Sequence, residues 1–340
     1  MIPLSALDLA TVATGSSPAQ ALRETTDMAR WVEHLGYRRL WVAEHHAMVS
    51  VASSAPAVLS AHLASATTTL RVGAGGVMLP NHAPLVIAEQ FATLEALHPG
   101  RIDLGLGRAP GTDALTARAL RRARGAAADT FPDDVVELLD YFTPNEDPSR
   151  HPQVTPGRGY APQVWLLGSS TFSAQLAGFL GLPFSFAYHF APPHLDEALV
   201  AYRTNFRPSP FLEAPHVMVA VSVLCAPSEE EARWLAGSSA LTIVQRATGR
   251  VALLSSPHEA AAHQFSPQEQ SLVDQTMSSY VIGEPSRVRD GLVALARRSG
   301  ADELLLSTRT HSYEARARSF ELVARAWEAT RGASASPVRC

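Results

Sequence analysis

The chain has 340 residues, of which 46% are hydrophobic and 18% charged, and a formal net charge of −4 with no basic block or stripe. That length suffices for one large core or two modest domains, and the lack of clustered basic residues argues against a nucleic-acid partner. Its two cysteines, Cys225 and Cys340, allow one bridge at most, so no disulfide framework is expected.

The start, Met1 to Ser5, has no basic segment followed by an apolar one, and no apolar run reaches the roughly 18 residues of a spanning helix. A cytoplasmic protein with no membrane partner is expected. Every basic residue of the Lys/Arg class is arginine. Schiff-base chemistry needs a lysine amine, so class I aldolase and pyridoxal-phosphate mechanisms are closed to this chain.

Short apolar runs alternate with helical patterns. Leu4–Leu9 reads as a strand, followed by a helix over Ala19–Leu35 with Leu22, Met28, Ala29, Val32 and Leu35 at helical spacing, stopped by Gly36. Arg38–Val42 is a second strand, Pro56–Ala66 a helix of small residues, Leu70–Leu79 a third strand and Leu85–Leu97 a helix. Ile102–Leu106, Val164–Leu167, Phe184–Tyr188, Val217–Leu224 and Glu303–Ser307 complete eight strands, with a helix over Ser173–Leu180. Alternation of this kind predicts a parallel sheet, and eight units favour a closed (β/α)8 TIM barrel over an open sheet.

Two stretches interrupt the rhythm without marking a domain boundary. Pro144–Pro162 is rich in Pro, Gly and Arg and reads as a long loop; Gly237–Tyr280 reads as a helical insertion or lid before the last strand. One domain over 1–330 with a short tail from 331 to 340 is expected.

In such a barrel chemistry gathers at the ends of the strands. The second strand leads into Glu44-His45-His46. Adjacent side chains on a strand face opposite ways, so at most one of these histidines points into the mouth if the strand continues. His45 and His46 are the candidates for acid–base catalysis or cofactor contact. The alternatives are a histidine that holds the loop, or a metal ligand with Asp103 as a possible partner. The third strand carries Gly73-Ala74-Gly75-Gly76, where missing side chains leave room for a flat ring or serve close packing of the barrel. The spacing is not a dinucleotide-binding fingerprint. Arg108, framed by glycines after the fourth strand, suits an anion through its fork, or pairs with a nearby carboxylate. Ser169 and Ser170 precede a helix; they form a phosphate cradle or are ordinary caps. Arg108 and this cradle together suggest a phosphorylated cofactor or substrate.

The run Arg71–Asp113, RVGAGGVMLPNHAPLVIAEQFATLEALHPGRIDLGLGRAPGTD, resembles the signature of luciferase-like flavin monooxygenases. WVAEHH upstream, VWLLGSS downstream and VIGEPSRV at Val281–Val288 sit where that family has them, and the resemblance covers roughly residues 1–330. It is to single-chain members, some of which tailor antibiotics, rather than to the light-emitting pair. The resemblance implies a barrel that binds reduced FMN, supplied by a separate reductase, and uses O2 on a small-molecule substrate. It also implies a homodimer through the second and third helices. By the same resemblance, the Ala74–Gly75 backbone lies against the isoalloxazine ring and carries a non-prolyl cis peptide. Arg108, Ser169 and Ser170 hold the flavin phosphate, and His45 takes part in catalysis. No metal is implied. Three features depart from luciferase: Gly107 replaces a reactive cysteine, Ser169 replaces an acidic residue, and Gly237–Tyr280 does not resemble its mobile loop. These put light emission and aldehyde oxidation in doubt and leave the flavin site intact. The rival readings are an F420-dependent dehydrogenase on the same fold, a non-catalytic flavin-binding protein, and a metal hydrolase. Tyr188, His189 and Phe190 near the mouth suit an aromatic or long apolar substrate, such as a polyketide or other secondary metabolite.

Overall fold

The computed structural model describes residues 1–109, 114–120, 130–143, 152 and 154–333. The first half of the barrel runs β1 (Leu4–Asp8), α1 (Pro18–His34), β2 (Arg39–Val42), α2 (Pro56–Ala66), β3 (Arg71–Met78), α3 (Pro84–Leu97) and β4 (Ile102–Gly107). Two helices, α4 (Ala114–Ala119) and α5 (Phe131–Asp140), precede β5 (Gln163–Gly168), α6 (Thr171–Leu180), β6 (Phe184–Ala187), α7 (Leu195–Asn205) and β7 (Val217–Cys225). Then come α8 (Glu229–Ala247), α9 (Pro257–Ala262), α10 (Pro267–Met277), β8 (Val281–Gly283), α11 (Pro285–Ser299), β9 (Glu303–Ser307) and α12 (Tyr313–Ala333).

All strand pairings in this sheet are parallel. The order β6-β5-β4-β3-β2-β1-β9-β7 closes on itself through β6–β7, giving an eight-stranded (β/α)8 barrel. The ninth strand, β8, lies outside the ring and pairs only with the end of β7, Val223–Cys225.

The local reasons for these elements are visible. Pro18 opens α1 behind Ser17, whose side chain accepts from the Gln20 N–H, and Met28, Ala29 and Val32 bury its inner face. Gly181 ends α6 at φ 62°, where a Cβ would stand 2.4 Å from the Arg207 carbonyl oxygen. The stretch expected as an insertion starts in the middle of a helix: α8 begins at Glu229, capped by Ser228, with three glutamates in its first turn. Ser256-Pro257-His258-Glu259 and Ser266-Pro267-Gln268-Glu269 each form a complete capping box that starts α9 and α10. The expected loop 144–162 is described only at 152 and 154–162. The expected tail begins later than 331, since α12 runs to Ala333; residues 334–340, Cys340 among them, lie outside the described residues. Cys225 is a free, buried thiol. Among the described residues no helix is long and apolar enough to cross a membrane.

The barrel interior is layered, as this architecture requires. At the strand starts, buried Arg39 bridges Asp103 at 2.7 Å and Glu303 at 2.8 Å. Ser5 donates to Glu303, and Arg71 reaches Asp103 at 2.6 Å. Asp103 is therefore a structural carboxylate at the closed end of the barrel, which overturns its reading as a metal ligand at the mouth. The next layer is aromatic. Trp41 and Trp165 meet edge to face at 5.4 Å, packed with Leu7, Met218 and Leu305. Trp41 Nε1 donates to Asp103 at 2.9 Å, so the two layers are tied together. Above this floor the interior opens into a cavity.

Candidate active site

The cavity occupies the C-terminal mouth of the barrel and has a volume of about 770 Å³, within the range of ligand-binding clefts. Its floor is Trp41, Leu7 and Leu305, and part of one wall is Gly75–Gly76. The Gly75–Gly76 peptide is cis, and Gly76 sits where the β3–β4 register shifts between Gly75 and Val77. Both glycines are required by packing. A Cβ on Gly75 would lie 2.6 Å from the Trp41 ring, and one on Gly76 2.6 Å from the Gly105 carbonyl oxygen. The space freed by the glycines is thus filled by the protein, and their backbone edge is what faces the cavity. Ala74 is wholly buried and does not line it. The wall expected at Ala74–Gly75 is moved one residue along, to Gly75–Gly76.

Arg108, Ser169 and Ser170 come together at one end. Arg108 stacks over Phe172, the second residue of α6, with its guanidinium carbon 4.1 Å from the ring centroid. No carboxylate among the described residues pairs with it. Ser170 occupies the N-cap position of α6 but makes no capping hydrogen bond, so its hydroxyl and the first-turn N–H groups are open to a ligand. An unpaired cation next to an uncapped helix N-terminus fits a phosphate group. That is the donor set a flavin phosphate requires. The residues also suit the rest of a flavin, with a backbone edge at Gly75–Gly76 and an aromatic floor beside it.

The two adjacent histidines part company. His45 lines the cavity; its backbone N–H donates to Ser53 at 3.0 Å, and its buried Nδ1 has no hydrogen-bond partner. Burial, then the charges of Arg246 and Arg309, hold its pKa below the ordinary histidine value against the opposing pull of Glu44. At neutral pH it is an uncharged imidazole facing the cavity. His46 is not among the lining residues. Its Nε2 lies 2.8 Å from Glu44 Oε1, and His82 Nε2 lies 2.9 Å from the same oxygen. Glu44 also accepts from the Met78 N–H at 2.9 Å and Asn81 Nδ2 at 3.1 Å. Burial would raise its pKa, but bonds from His82, His46 and Met78 more than offset that and hold it below the usual carboxylate range. His46 and His82 therefore position the β2 and β3 ends, while His45 and His189 line the cavity.

Sequence reasoning missed the far side of the cavity. Arg309, just after β9, and Arg246, on α8, both line it, together with Ser239, Thr242 and Tyr280. A signal existed: Ser307-Thr308-Arg309 is a strand-end arginine of the same kind as Arg108. Arg246 had none, being placed by the fold of the insertion. His189 and Phe190 line the cavity as expected, and Tyr188 does not. His189 Nδ1 donates to the Ala220 carbonyl at 3.0 Å, and burial lowers its pKa. No group of three or more metal-ligating side chains occurs among the described residues.

The luciferase-like monooxygenase family model matches residues 3–303. The chain is 49% identical over 321 residues to a luciferase-like monooxygenase of Escherichia coli (strain K12), spanning 94% of this chain and 96% of that one. It is 34% identical over 303 residues to the N-acetyl-S-alkylcysteine monooxygenase of Bacillus subtilis (strain 168), spanning 87% and 89%. The crystal structure of apo-MsnO8 superposes with a TM-score of 0.87 at 36% identity, covering 96% of this chain and 99% of that one. With the barrel, the layered floor and the mouth residues in place, these matches establish that the chain belongs to the luciferase-like monooxygenase family.

Proposed function

We propose that this protein is a monooxygenase that takes reduced FMN from a separate reductase and uses O2 to oxygenate a small organic substrate. The observation that carries the reading is the placement of Arg108, which has no carboxylate partner among the described residues, beside the uncapped N-terminus of α6 at Ser170. When bound there, the reduced flavin supplies two electrons and activates O2, so that one oxygen atom goes to the substrate and the other to water.

The chain's own residues have three tasks. Arg108, Ser169 and Ser170 hold the phosphate and fix the ring against Gly75–Gly76. Trp41, Leu7, Leu305 and Met48 supply apolar surface that limits water at the reacting centre. His45, neutral and lining the cavity, accepts a proton from the substrate or, protonated in turn, returns it. The α8–α10 segment supplies the wall that carries Ser239, Thr242, Arg246 and Thr276. It is fastened to the loop after β1: the Thr14 N–H donates to Leu254 at 2.9 Å, and the Leu254 N–H to Val12 at 3.0 Å. This segment serves as the lid. Phe190, Met48 and Ile243 in the cavity favour a substrate with an aromatic or long apolar body, such as a secondary metabolite. The E. coli luciferase-like monooxygenase and the B. subtilis N-acetyl-S-alkylcysteine monooxygenase, both similar to this chain, support oxygenation. A homodimer through α2 and α3, acting in the cytoplasm, completes the proposal.

Anaerobic titration distinguishes this reading from an F420-dependent dehydrogenase. Reduced FMN should bind and quench the fluorescence of Trp41 and Trp165. Reduced F420 binding in its place, with no response to FMN, contradicts the proposal.

A further inference from the structure

Arg309 and Arg246 stand on the side of the cavity away from the phosphate cradle. In the closed ring β1-β2-β3-β4-β5-β6-β7-β9, β9 and β4 are four steps apart in either direction, so they face each other across the barrel. Arg309 follows β9 and Arg108 follows β4, which places a cation at each end of the mouth. Among the described residues, those that line the cavity include no aspartate or glutamate, and neither Arg246 nor Arg309 forms an ion pair. The Arg309 Nε is buried without a hydrogen-bond partner. A buried guanidinium N–H without a partner is costly unless a hydrogen-bond acceptor completes it.

Beside Arg309 the cavity continues into a narrow recess of about 20 Å³. Ser222, Ser239, Tyr280 and Ser307 line both spaces together with Arg309, and Val223, Leu224 and Ile282 add apolar surface to the recess. The recess has room for one small polar group and none for a bulky one. Apolar Met48, Val51 and Ile243 line the main cavity. We propose that Arg309 and Arg246 form a second anion pole, which binds the carboxylate of a monoanionic organic substrate whose apolar body lies in the main cavity. The inference rests on the proposed function in taking Arg108 as the flavin end and this pole as the substrate end.

The test compares two probes of the same shape, 4-phenylbutyrate and its uncharged primary amide, by calorimetric titration of the full-length protein with and without FMN. The carboxylate should bind at least about tenfold more tightly than the amide, as for a charge-assisted hydrogen bond. Arg309→Gln and Arg246→Gln should each reduce that preference, Arg309→Lys should keep most of it, and all three should leave FMN affinity unchanged. Arg108→Ala should do the opposite, weakening FMN and keeping the preference. Thermal melting checks folding; Arg246, a solvent-exposed side chain where α8 borders the cavity, serves if Arg309→Gln does not fold. No carboxylate preference in the wild type overturns the inference, as does a preference that survives both neutral variants. Loss of FMN binding in Arg309→Gln also overturns it, by making this pole part of the flavin site. Failure of the wild type to bind FMN at all refutes the proposed function, while the probe comparison on flavin-free protein still decides the anion pole.

Discussion

His46 Nε2 lies 2.8 Å from Glu44 Oε1, and this contact separates two histidines that are adjacent in sequence. One is committed to Glu44; the other lines the cavity, with its Nδ1 buried and without a hydrogen-bond partner. The division follows from the chain leaving β2 at Val42, so that His45 and His46 sit on the loop beyond it.

Substitution His45→Ala should therefore slow substrate oxygenation by about 10²–10⁴-fold, the usual contribution of a positioned acid–base group. Reduced FMN should bind as before, and hydrogen peroxide release should rise, because the flavin still reacts with O2 while transfer stalls. Parallel assays of product and peroxide check this; full coupled turnover in the variant contradicts the role.

The pH dependence has a fixed sign. The folded pKa of His45 lies below 6.5, chiefly through burial and then through Arg246 and Arg309. The unfolded chain takes up the proton first, so this histidine's contribution to stability is present above pH 6.5 and lost as pH falls toward the folded pKa. The acid limb of kcat should likewise lie below pH 6.5. Arg246→Gln removes a neighbouring positive charge and should move that limb upward. A limb that stays in place in this variant excludes His45 as the titrating group.

Arg108→Ala should weaken reduced FMN binding by about 1.5–3 kcal/mol, the range for a charge-assisted hydrogen bond. Riboflavin lacks the phosphate and should be nearly indifferent. Equal losses for both ligands, measured by fluorescence titration, show that Arg108 does not hold the phosphate.

The barrel was legible in the sequence because each strand is a short apolar run bounded by turn residues. The miss among strands, Val281–Gly283, is three residues long and outside the ring, with too few positions to show a period. Arg108, Ser169 and Ser170 were legible because a strand-end position is defined locally, and the structure brings them together at one cavity end. The duty of Glu44 was not legible. Its partners Met78, Asn81 and His82 lie 34–38 residues downstream, and only the β2–β3 pairing delivers them. The strand glycines were read as a wall at Ala74–Gly75, whereas Gly75 and Gly76 line the cavity, and packing against Trp41 and Gly105 already demands both glycines.

Glu44→Gln tests the fastening of the mouth. It keeps one acceptor and loses the charge that holds His46, His82 and the Met78 N–H together. Stability should fall by about 1.5–3 kcal/mol at pH 7, the scale of hydrogen bonds to a charged group. The folded pKa of Glu44 is depressed, so the wild-type advantage is present above pH 4.5 and lost as pH falls through the folded value. Chemical denaturation at pH 7 and pH 4 reads both effects; equal stability of the two proteins at pH 7 contradicts the assignment.

The proposed dimer uses α2 and α3, where Val58 and Val86 are exposed. Light scattering at micromolar concentration should give twice the 36.4 kDa chain mass. Val58→Asp should shift the population toward monomer; a wild-type monomer removes the proposal.

Oxygen-isotope labelling tests the central claim most directly. With chemically reduced FMN as the sole electron donor and ¹⁸O2 as the oxidant, candidate thioether and aromatic carboxylates are incubated with the protein and analysed by mass spectrometry. The expected result is a product carrying one ¹⁸O atom, formed only when both reduced FMN and O2 are present. An unlabelled product, or turnover sustained by reduced F420 without O2, would contradict a flavin-dependent monooxygenase.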